Sequence, residues 1–370
     1  MARMTFDASV YADRRRKAAD LVRERGLAGL VIGTGAEFAY LTGSWASSHE
    51  RLTALVIAPD ATRVVAPLTD VASLGLERDD DIDIVGWRDG DNPYRLVADV
   101  LGDGMVGLGS SLTADHVFPL QALLPRTELA TDAVAELFMV KDAAELEQIA
   151  AAGAAIDRVH EQVPALLQPG RTEREVADDL TRLVLEEHES VAFVIVGSGP
   201  NGSNPHHDFS DRVLEAGDPV VVDIGGVLAS GYQSDCTRTY VVGGRDEAPA
   251  DFREAYAVLE NAFAAACESA RPGVTAGQLD AVARGVIADA GYGEWFTHRL
   301  GHGIGLSGHE QPFIIAGSDV VLREGMAFSI EPGIYKPGAW GMRIEDIVRL
   351  TGTGIETFNR TRHDLGVSGG

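Results

Sequence analysis

The sequence predicts a two-domain α+β protein, in which a smaller α/β domain at 1–132 precedes a larger domain with an internal repeat at 133–370. Three observations support this prediction. The chain has 370 residues, which is longer than one usual domain. Short apolar runs alternate with helical patterns in its first third, which is typical of an α/β domain. A turn followed by a helix cap near residue 168 recurs near residue 271.

The first domain is predicted to begin with a charged helix over 11–26, which Gly26 ends as its cap. Apolar runs with β-forming residues then alternate with amphipathic stretches. We predict strands at 28–32, 52–58, 63–66, 82–87 and 105–108, and helices at 93–101 and 113–124. The stretch 40–51 is the most loop-like part of this domain.

The second domain is predicted to follow a linker at 130–136 and to open with two helices. A long amphipathic pattern begins at Lys141, and a second helix is expected from Thr172 to about His188. A strand is expected at 192–196. These elements form the first copy of the repeat.

The repeat is visible as a short motif. Gln-Pro-Gly-Arg-Thr at 168–172 is echoed 103 positions later by Arg-Pro-Gly-Val-Thr at 271–275. The two copies also match on the helices that follow: Glu175 with Gln278 as capping-box partners, and Val176 with Leu279 as apolar positions. Each copy is therefore predicted as two helices followed by strands, and two copies are too few for a solenoid.

A β-hairpin with two aspartates stands at the centre of this domain. The valine-rich run 219–224 predicts a buried strand, 238–242 its returning partner, and the Gly-rich segment 225–231 the reversal. Asp223 and Asp235 flank that reversal. Two carboxylates on facing strands repel each other, so either a proton or a cation must neutralise the pair.

Further ligand-type residues follow the hairpin. His302 lies in Gly-His-Gly, Glu331 follows an apolar run, and Glu345 lies in Arg-Ile-Glu-Asp. With Asp223 and Asp235 they form a set of four carboxylates and one imidazole, which suits two divalent ions held about 3.5–4 Å apart. Oxygen-rich ligation favours manganese, with cobalt, iron and zinc as alternatives.

Composition excludes several classes of partner. The chain has 31 Lys plus Arg against 56 Asp plus Glu, a net charge of −25, which argues against nucleic acid and anionic membrane. It shows no signal-peptide core and no run of about 18 apolar residues, so the cytoplasm is the expected location. Cys236 and Cys267 are too few for a disulfide framework and are expected to be reduced packing residues.

Four motifs in order resemble those of the pita-bread dinuclear metallopeptidases, specifically the aminopeptidase P and prolidase branch: VVDIGG with YQSDCTRTY, GHGIGL with HE, EPGIY, and GMRIED. The resemblance covers the chain from about Glu136 onward, with a weaker match before it. It implies a pita-bread fold with a pseudo-twofold axis, metals between its halves, and a creatinase/prolidase-type N-terminal domain. It also implies a homodimer, in which Trp45 or His49 would reach a neighbouring subunit unless each is packed locally.

The resemblance implies further site residues. His206 and His309 match two catalytic, substrate-side histidines, whose neutral rings would hydrogen-bond the scissile carbonyl oxygen. His298 matches a further substrate-binding histidine, with packing beside the ligand loop as its alternative. Arg343 lies on the same strand face as Glu345, where it would either bind substrate or orient that ligand.

The activity implied by the resemblance is hydrolysis of the Xaa-Pro bond by metal-activated water, with Glu331 as the catalytic acid and base. Proline-containing peptides are the expected substrates, either as dipeptides or at the N-terminus of longer peptides. Two alternatives remain open. One is a pita-bread enzyme with other chemistry, such as creatinase-like C–N hydrolysis or metal-dependent elimination. The other is a non-catalytic binding protein, against which the retention of all five ligands argues.

The sequence departs from the family pattern at two places. Asp223 and Asp235 are twelve positions apart where eleven are expected, so the hairpin tip should carry one extra residue as a bulge. Some dipeptidases of the family carry an arginine between the second histidine and the EPG motif, where it binds the dipeptide carboxylate. Here that segment, 310–330, has only Arg323, which leaves room for an aminopeptidase P. For a dipeptide substrate, Arg343 is the first candidate to bind the carboxylate.

Overall fold

The computed structural model describes residues 6–48, 50–76, 81–363 and 365–367; His49 lies outside them. The chain divides into two compact units, Met1–Phe138 and Met139–Gly370. The linker predicted at 130–136 is wrong, because the helix Thr131–Phe138 occupies this stretch and belongs to the first unit. This helix buries Ala133, Val134 and Ala135, so tertiary packing stabilises a segment that resembles a linker in composition.

The N-terminal unit confirms the predicted α/β class. Its helices are α1 (Ala8–Glu24), α2 (Ala36–Thr42), α3 (Pro93–Ala98), α4 (Ala114–Leu123) and α5 (Thr131–Phe138). Its strands are β1 (Gly29–Gly33), β2 (Ala54–Ala58), β3 (Ala61–Pro67), β4 (Asp83–Trp87), β5 (Val106–Leu108) and β6 (Thr127–Leu129). They form a mixed sheet in the order β4-β3-β2-β1-β5-β6. Every residue of β1 and β2 is buried, which explains their continuous apolar runs. Gly26 follows α1 at φ 64°, the left-handed cap that was predicted.

The described part of the second unit contains helices and three sheets. Its helices are α6 (Ala143–His160), α7 (Val163–Leu166), α8 (Glu173–Glu187), α9 (Ala250–Ser269) and α10 (Ala276–Asp289). Its strands are β7 (Ser190–Ser198), β8 (Pro219–Val227), β9 (Cys236–Val241), β10 (Gly301–Gly303), β11 (Glu310–Ile314), β12 (Ala327–Ile330), β13 (Gly333–Lys336), β14 (Trp340–Arg343), β15 (Asp346–Leu350), β16 (Ile355–Thr357) and β17 (Gly366–Val367). The sheet orders are β17-β9-β8-β7, β11-β10-β12-β15-β16 and β13-β14. Among the helices that the structure describes, none combines the length and hydropathy needed to cross a bilayer.

The structure confirms the internal repeat. Thr172 caps α8 in a capping box with Glu175, and Thr275 caps α10 in the same way with Gln278. The loops before these helices make matching backbone bonds: Gly170 N–H donates to the Leu214 carbonyl and Gly273 N–H to the Leu322 carbonyl, both at 2.9 Å. The apolar positions predicted to match, Val176 and Leu279, are both fully buried. The two copies therefore share local chemistry as well as element order.

The hairpin of β8 and β9 has a continuous register, with Asp223 opposite Thr237. Its tip is a three-residue loop closed by bonds between Leu228 and Tyr232 and from Gly231 N–H to the Leu228 carbonyl. Gly231 has φ 88°, so this position favours glycine. A turn followed by a left-handed glycine is typical of a glycine bulge. The extra residue predicted at the tip relative to the family stays a prediction. The register below the tip is undisturbed, so Asp223 stays on the ladder and Asp235 lies directly before β9.

Strand alternation determines which side chains face the site. On one face of the β7–β9 sheet, Val222, Ile224 and Cys236 are fully buried in a core shared with Ile156 of α6 and Leu180 of α8. Each such aliphatic side chain contributes about 1.5–3 kcal/mol to folding. Since successive residues point to opposite faces, the neighbours of these core residues in the chain turn toward the site instead.

Candidate metal centre and active site

One cavity of about 500 Å³ in the second unit brings the predicted site residues together. The nine that line it are Asp223, Asp235, His302, Glu331, Glu345, His206, His298, His309 and Arg343. Phe193, Ile195, Pro205, Arg299 and Ile315 complete its wall, and none of these five was predicted. Catalytic-type groups are thus gathered in a pocket with a partly apolar wall, which suits a small polar ligand with an apolar part.

The five candidate ligands lie close enough to share cations. His302 Nε2 is 3.2 Å from Glu331 Oε1 and 3.7 Å from Asp235 Oδ2. Among the described residues, three groups place ligand atoms within 4.8 Å of one another: Asp223, Asp235 and Glu345; His302, Glu331 and Glu345; and Asp235, His302 and His309. Glu345, Asp235 and His302 each belong to two of these groups, so the groups overlap and would hold any bound cations close together.

The pKa shifts of these carboxylates and their unpaired oxygens indicate whether a metal ion fits this site. Burial, followed by the charges of neighbouring carboxylates, raises the pKa of Asp235 and of Glu345 well above the usual range. Burial also raises the pKa of Asp223. Within the described part of the chain, Asp223 Oδ1 and Glu345 Oε1 are buried without a hydrogen-bond donor. Such oxygens are costly unless a proton or a cation meets them, so this donor set fits divalent cations.

Glycines allow the backbone around His302 to approach its neighbours. A Cβ added at Gly301 would lie 1.9 Å from the Ser329 carbonyl oxygen, and one at Gly303 would lie 2.2 Å from that of Gln311. No larger residue fits at either position without moving the backbone. The Ser329 hydroxyl accepts a hydrogen bond from His302 N–H at 2.9 Å. The Gly-His-Gly sequence therefore holds the imidazole between two strands.

Glu331 and His302 form a hydrogen-bonded pair. Burial by itself would raise the pKa of Glu331, but its hydrogen bond with His302 and nearby positive charges lower that pKa to about 2. Ser329 Oγ donates a further bond to Glu331 Oε1 at 3.0 Å. The carboxylate therefore stays ionised and has a fixed orientation at the cavity wall.

Arg343 contacts ligands as well as lining the cavity. Its guanidinium forms an ion pair with Asp223, and its Nε donates to Thr237 Oγ1 at 3.0 Å. The Thr237 hydroxyl in turn donates to Glu345 Oε2 at 2.8 Å. A further bond, 2.6 Å long, runs to the Tyr335 hydroxyl. These contacts support the interpretation in which Arg343 orients ligands.

His298 and His309 occupy different positions in the cavity. The His298 ring bonds the Tyr335 hydroxyl at 2.9 Å, and burial lowers the pKa of His298. The exposed His309 ring lies 4.0 Å from the His302 ring, centroid to centroid. Burial of part of that ring and the charges of His302 and Arg299 lower the pKa of His309 to about 4. Both rings are therefore neutral at pH 7 and are able to donate or accept hydrogen bonds.

His206 lies on a loop that a buried carboxylate holds in place. Glu173, in the first turn of α8, accepts bonds from Ser198 N–H at 2.7 Å and from Ser210 N–H at 2.9 Å. The His207 ring also contacts Glu173 at 2.9 Å. The loop between these residues is therefore anchored at both ends, and His206 is presented exposed at the cavity. Glu173 was not predicted from the sequence, because a glutamate in the first turn of a helix has an ordinary capping explanation.

Other residues singled out in the sequence lie elsewhere. Trp45 is in the N-terminal unit with 41% of its surface exposed. Cys236 and Cys267 are free, as expected, and burial raises the thiol pKa of both. Arg299 was also missed, because only its adjacency to His298 singles it out in the sequence.

Comparison with protein families gives two matches. The model of metallopeptidase family M24 matches residues 147–352, and the model of the creatinase/prolidase N-terminal domain matches residues 14–137. The M24 match contains every residue that lines the cavity.

Individual relatives agree with these families. The probable dipeptidase PepE of Mycobacterium bovis is 52% identical over 372 residues, which cover 99% of this chain and 98% of that protein. The Xaa-Pro dipeptidase of Lactobacillus helveticus is 37% identical over 344 residues, covering 88% and 91%. The crystal structure of dipeptidase PepE from Mycobacterium ulcerans has a TM-score of 0.94 at 50% identity, covering 97% of this chain and 98% of the other.

Proposed function

Because the chain belongs to metallopeptidase family M24, we propose that it is an Xaa-Pro dipeptidase, which hydrolyses the peptide bond before proline through two divalent ions. Membership confirms the predicted resemblance, the pita-bread fold and the peptidase class. The observation that carries the proposal is the convergence of four carboxylates and one imidazole in one cavity, with buried oxygens that lack a donor. Relatives named as Xaa-Pro dipeptidases support the substrate class.

We propose that the five ligands are Asp223, Asp235, His302, Glu331 and Glu345, and that manganese is the physiological ion. When bound, the ions would lower the pKa of a water molecule and stabilise the negative charge that develops on the scissile carbonyl oxygen. Glu331 accepts a proton from the attacking water at a carboxylate oxygen and passes it to the proline nitrogen as the C–N bond breaks.

The neutral ring of His309 donates one N–H to the carbonyl oxygen, where negative charge develops, and His206 does so from the anchored loop. A well-placed donor of this kind stabilises the transition state by about 3 kcal/mol. His298 binds the proline side of the substrate. Arg343 holds Asp223 and, through Thr237, Glu345 in position.

The wider organisation is also proposed. The catalytic domain assigned from the sequence, 133–370, contains every residue of the cavity, and 1–132 is assigned as the creatinase/prolidase-type domain. We propose a homodimer in the cytoplasm. Size-exclusion chromatography with light scattering measures the oligomeric state directly, and a single monomeric species would contradict the dimer.

The test of function is hydrolysis of an Xaa-Pro dipeptide beside an Xaa-Pro-Xaa tripeptide, with manganese-loaded and chelator-treated protein. We expect cleavage of the dipeptide and loss of cleavage after chelation, since the donor set needs metal to be productive. Exclusive cleavage of the tripeptide would instead establish an aminopeptidase P. Bound metal without cleavage of either peptide would overturn the peptidase substrate and favour another C–N bond or an elimination reaction.

A further inference from the structure

A buried ion pair holds the residue that follows His309 in the chain. Lys141, two positions before α6, pairs with Glu310, the first residue of β11. The two side chains have only 2% and 8% of their surface exposed. Apolar side chains of similar size often stabilise a fold as well as a buried ion pair does. The pair is therefore better explained by a need to fix one local arrangement than by a need for stability.

The arrangement that the pair fixes is that of the loop 304–309. A Cβ added at Gly305 would lie 2.8 Å from Lys141 Nζ and 2.9 Å from Glu310 Oε1, so the loop backbone contacts the ion pair without a side chain between them. Within the loop, Gly305 N–H donates to the Ser307 carbonyl at 3.1 Å. The Glu310 carboxylate accepts a longer bond, of 3.4 Å, from Ser307 N–H. The ion pair thus ties a compact loop to the start of α6.

The tip of the β8–β9 hairpin also holds this loop. Gln233 N–H donates to the Gly305 carbonyl at 2.9 Å, and Gln233 Nε2 donates to the Leu306 carbonyl at 3.1 Å. The preceding residue, Tyr232, donates its hydroxyl to Glu145 in the first turn of α6 at 3.0 Å. The start of α6 therefore contacts both the loop and the hairpin that holds the loop.

His309 depends on its backbone for its position in the cavity. Its side chain is exposed, and within the described part of the chain its ring has no hydrogen-bond partner. Glu310, by contrast, is fixed by its pairing with Gly303 on the neighbouring strand and by the ion pair with Lys141. A displacement of a catalytic group by about 1 Å can lower a rate about 100-fold. Whatever fixes Glu310 should therefore influence turnover through His309.

We propose that the Lys141–Glu310 ion pair positions His309 for catalysis. The inference rests on the proposed function and adds two positioning residues to it. Neither residue is among those that line the cavity, so their effect on the substrate passes through the loop 304–309. Breaking the pair should therefore lower kcat and leave KM and metal content nearly unchanged.

The first experiment measures kcat and KM for an Xaa-Pro dipeptide, together with manganese content, in Lys141→Met with and without His309→Ala. We expect Lys141→Met by itself to lower kcat about 10-fold, with KM within about 2-fold and metal content unchanged. In the His309→Ala background the same change should lower kcat less than about 2-fold, because the group that the pair positions is gone. Equal losses in the two backgrounds would overturn the inference.

Lys336→Met is the matched control for Lys141→Met. It removes the ion pair between Lys336 and Asp251 in the same unit, and it should behave as wild type. This control separates the loss of one lysine and its ion pair from the loss of the pair at the His309 loop.

Two further variants keep the test decisive if Lys141→Met folds poorly, since it leaves the Glu310 carboxylate buried without its partner. Lys141→Met/Glu310→Gln removes both charges and should fold with the same loss of kcat. Glu310→Gln by itself keeps an oxygen that accepts from Lys141, so it should retain most of the wild-type kcat. A wild-type kcat in the folded double variant would overturn the inference.

Amide hydrogen exchange in metal-free protein provides a measurement that does not depend on turnover. Exchange at 304–309 should be about 10-fold faster in Lys141→Met/Glu310→Gln than in wild type, whereas exchange at 199–206, the loop that Glu173 anchors, should not change. Unchanged exchange at 304–309 would overturn the inference and leave the peptidase assignment intact. A metal-loaded wild type that cleaves no Xaa-Pro peptide would overturn the proposed function and the catalytic part of this inference, even with faster exchange in the double variant.

Discussion

The two halves of the second unit hold their candidate ligands in different ways. In the first half, Asp223 and Asp235 come from a hairpin whose register is continuous. In the second half, His302 lies at a shift of register between β10 and β11, Glu331 follows β12, and Glu345 lies between β14 and β15. Regular alternation of side chains along the strands is therefore sufficient to direct two carboxylates into the cavity. The other three ligands depend on breaks in the strands. A duplicated scaffold does not need equivalent ligands in its two copies.

The largest effect should come from removing one ligand from each half, as Asp235→Asn and Glu345→Gln. Because Asp235 and Glu345 lie in one group that joins ligand-type residues of both halves, either variant should lose metal and lower kcat/KM about 1,000-fold or more. Elemental analysis and steady-state kinetics measure both effects. In metal-free protein the free energy of unfolding should stay the same or rise, since each change removes a buried acid whose pKa is raised.

Asp246→Asn is the control for this pair, because its side chain is fully exposed and is not among the residues that line the cavity. It should leave metal content and kinetics unchanged. If Asp235→Asn retained two ions while Glu345→Gln lost them, the two halves would not share one centre.

The next largest effect should come from replacing one of two histidines, His206 from the first half or His309 from the second. Replacing either with alanine should keep the metal and lower kcat about 100-fold, because each removes one donor to the carbonyl oxygen. Metal content separates this role from ligation, which matters for His309 because it lies within ligand distance of Asp235 and His302. Loss of metal in His309→Ala would make it a ligand, and full activity in His206→Ala would refute its catalytic role.

A smaller effect tests the anchor of the His206 loop. Glu173→Gln keeps the shape but loses the charge that Ser198, Ser210 and His207 contact, so it should destabilise the fold by about 2 kcal/mol at pH 7 and lower kcat. Urea unfolding at several pH values measures the first effect. Glu175→Gln is the matched control, because glutamine keeps the capping box of the same helix.

The destabilisation caused by Glu173→Gln should depend on pH in a direction that follows from the pKa of Glu173. Burial raises the pKa of Glu173, but hydrogen bonds from Ser198, Ser210 and His207 outweigh it and the pKa is lowered from its ordinary value of 4.5. A group with a lowered folded-state pKa stabilises the protein above its unfolded value and loses this contribution as pH falls through the folded one. The difference between wild type and Glu173→Gln should therefore shrink below pH 4.5. A constant difference down to pH 3 would show that the charge contributes nothing.

The smallest effect should come from removing either of the two capping boxes. Thr172→Ala and Thr275→Ala should each destabilise the protein by about 1 kcal/mol, because each leaves one helix N–H without its acceptor. Urea unfolding should give values within about 0.5 kcal/mol of each other if the two copies are locally equivalent. A several-fold difference would show that the copies share sequence but not energetics.

Local sequence patterns account for the structural features that could be predicted. The caps at Thr172 and Thr275 depend on residues three positions away, and the bulge at Gly231 on the length of one turn. The nine predicted site residues meet in one cavity because each lay in a short motif. Glu173 and Arg299 were missed, since the partners of Glu173 lie 25 or more positions away and the place of Arg299 in the cavity wall depends on the fold.

The sequence by itself determined the repeat, the hairpin and the face on which Asp223 lies, because periodicity, capping and turn length are properties of neighbouring residues. Only the tertiary structure decided that Thr131–Phe138 is helical, that Arg343 pairs with Asp223, and that Arg299 lines the cavity. Burial and ion pairing depend on which charges meet in space after folding. Those contacts form between elements that are distant in sequence, so no local sequence pattern predicts them.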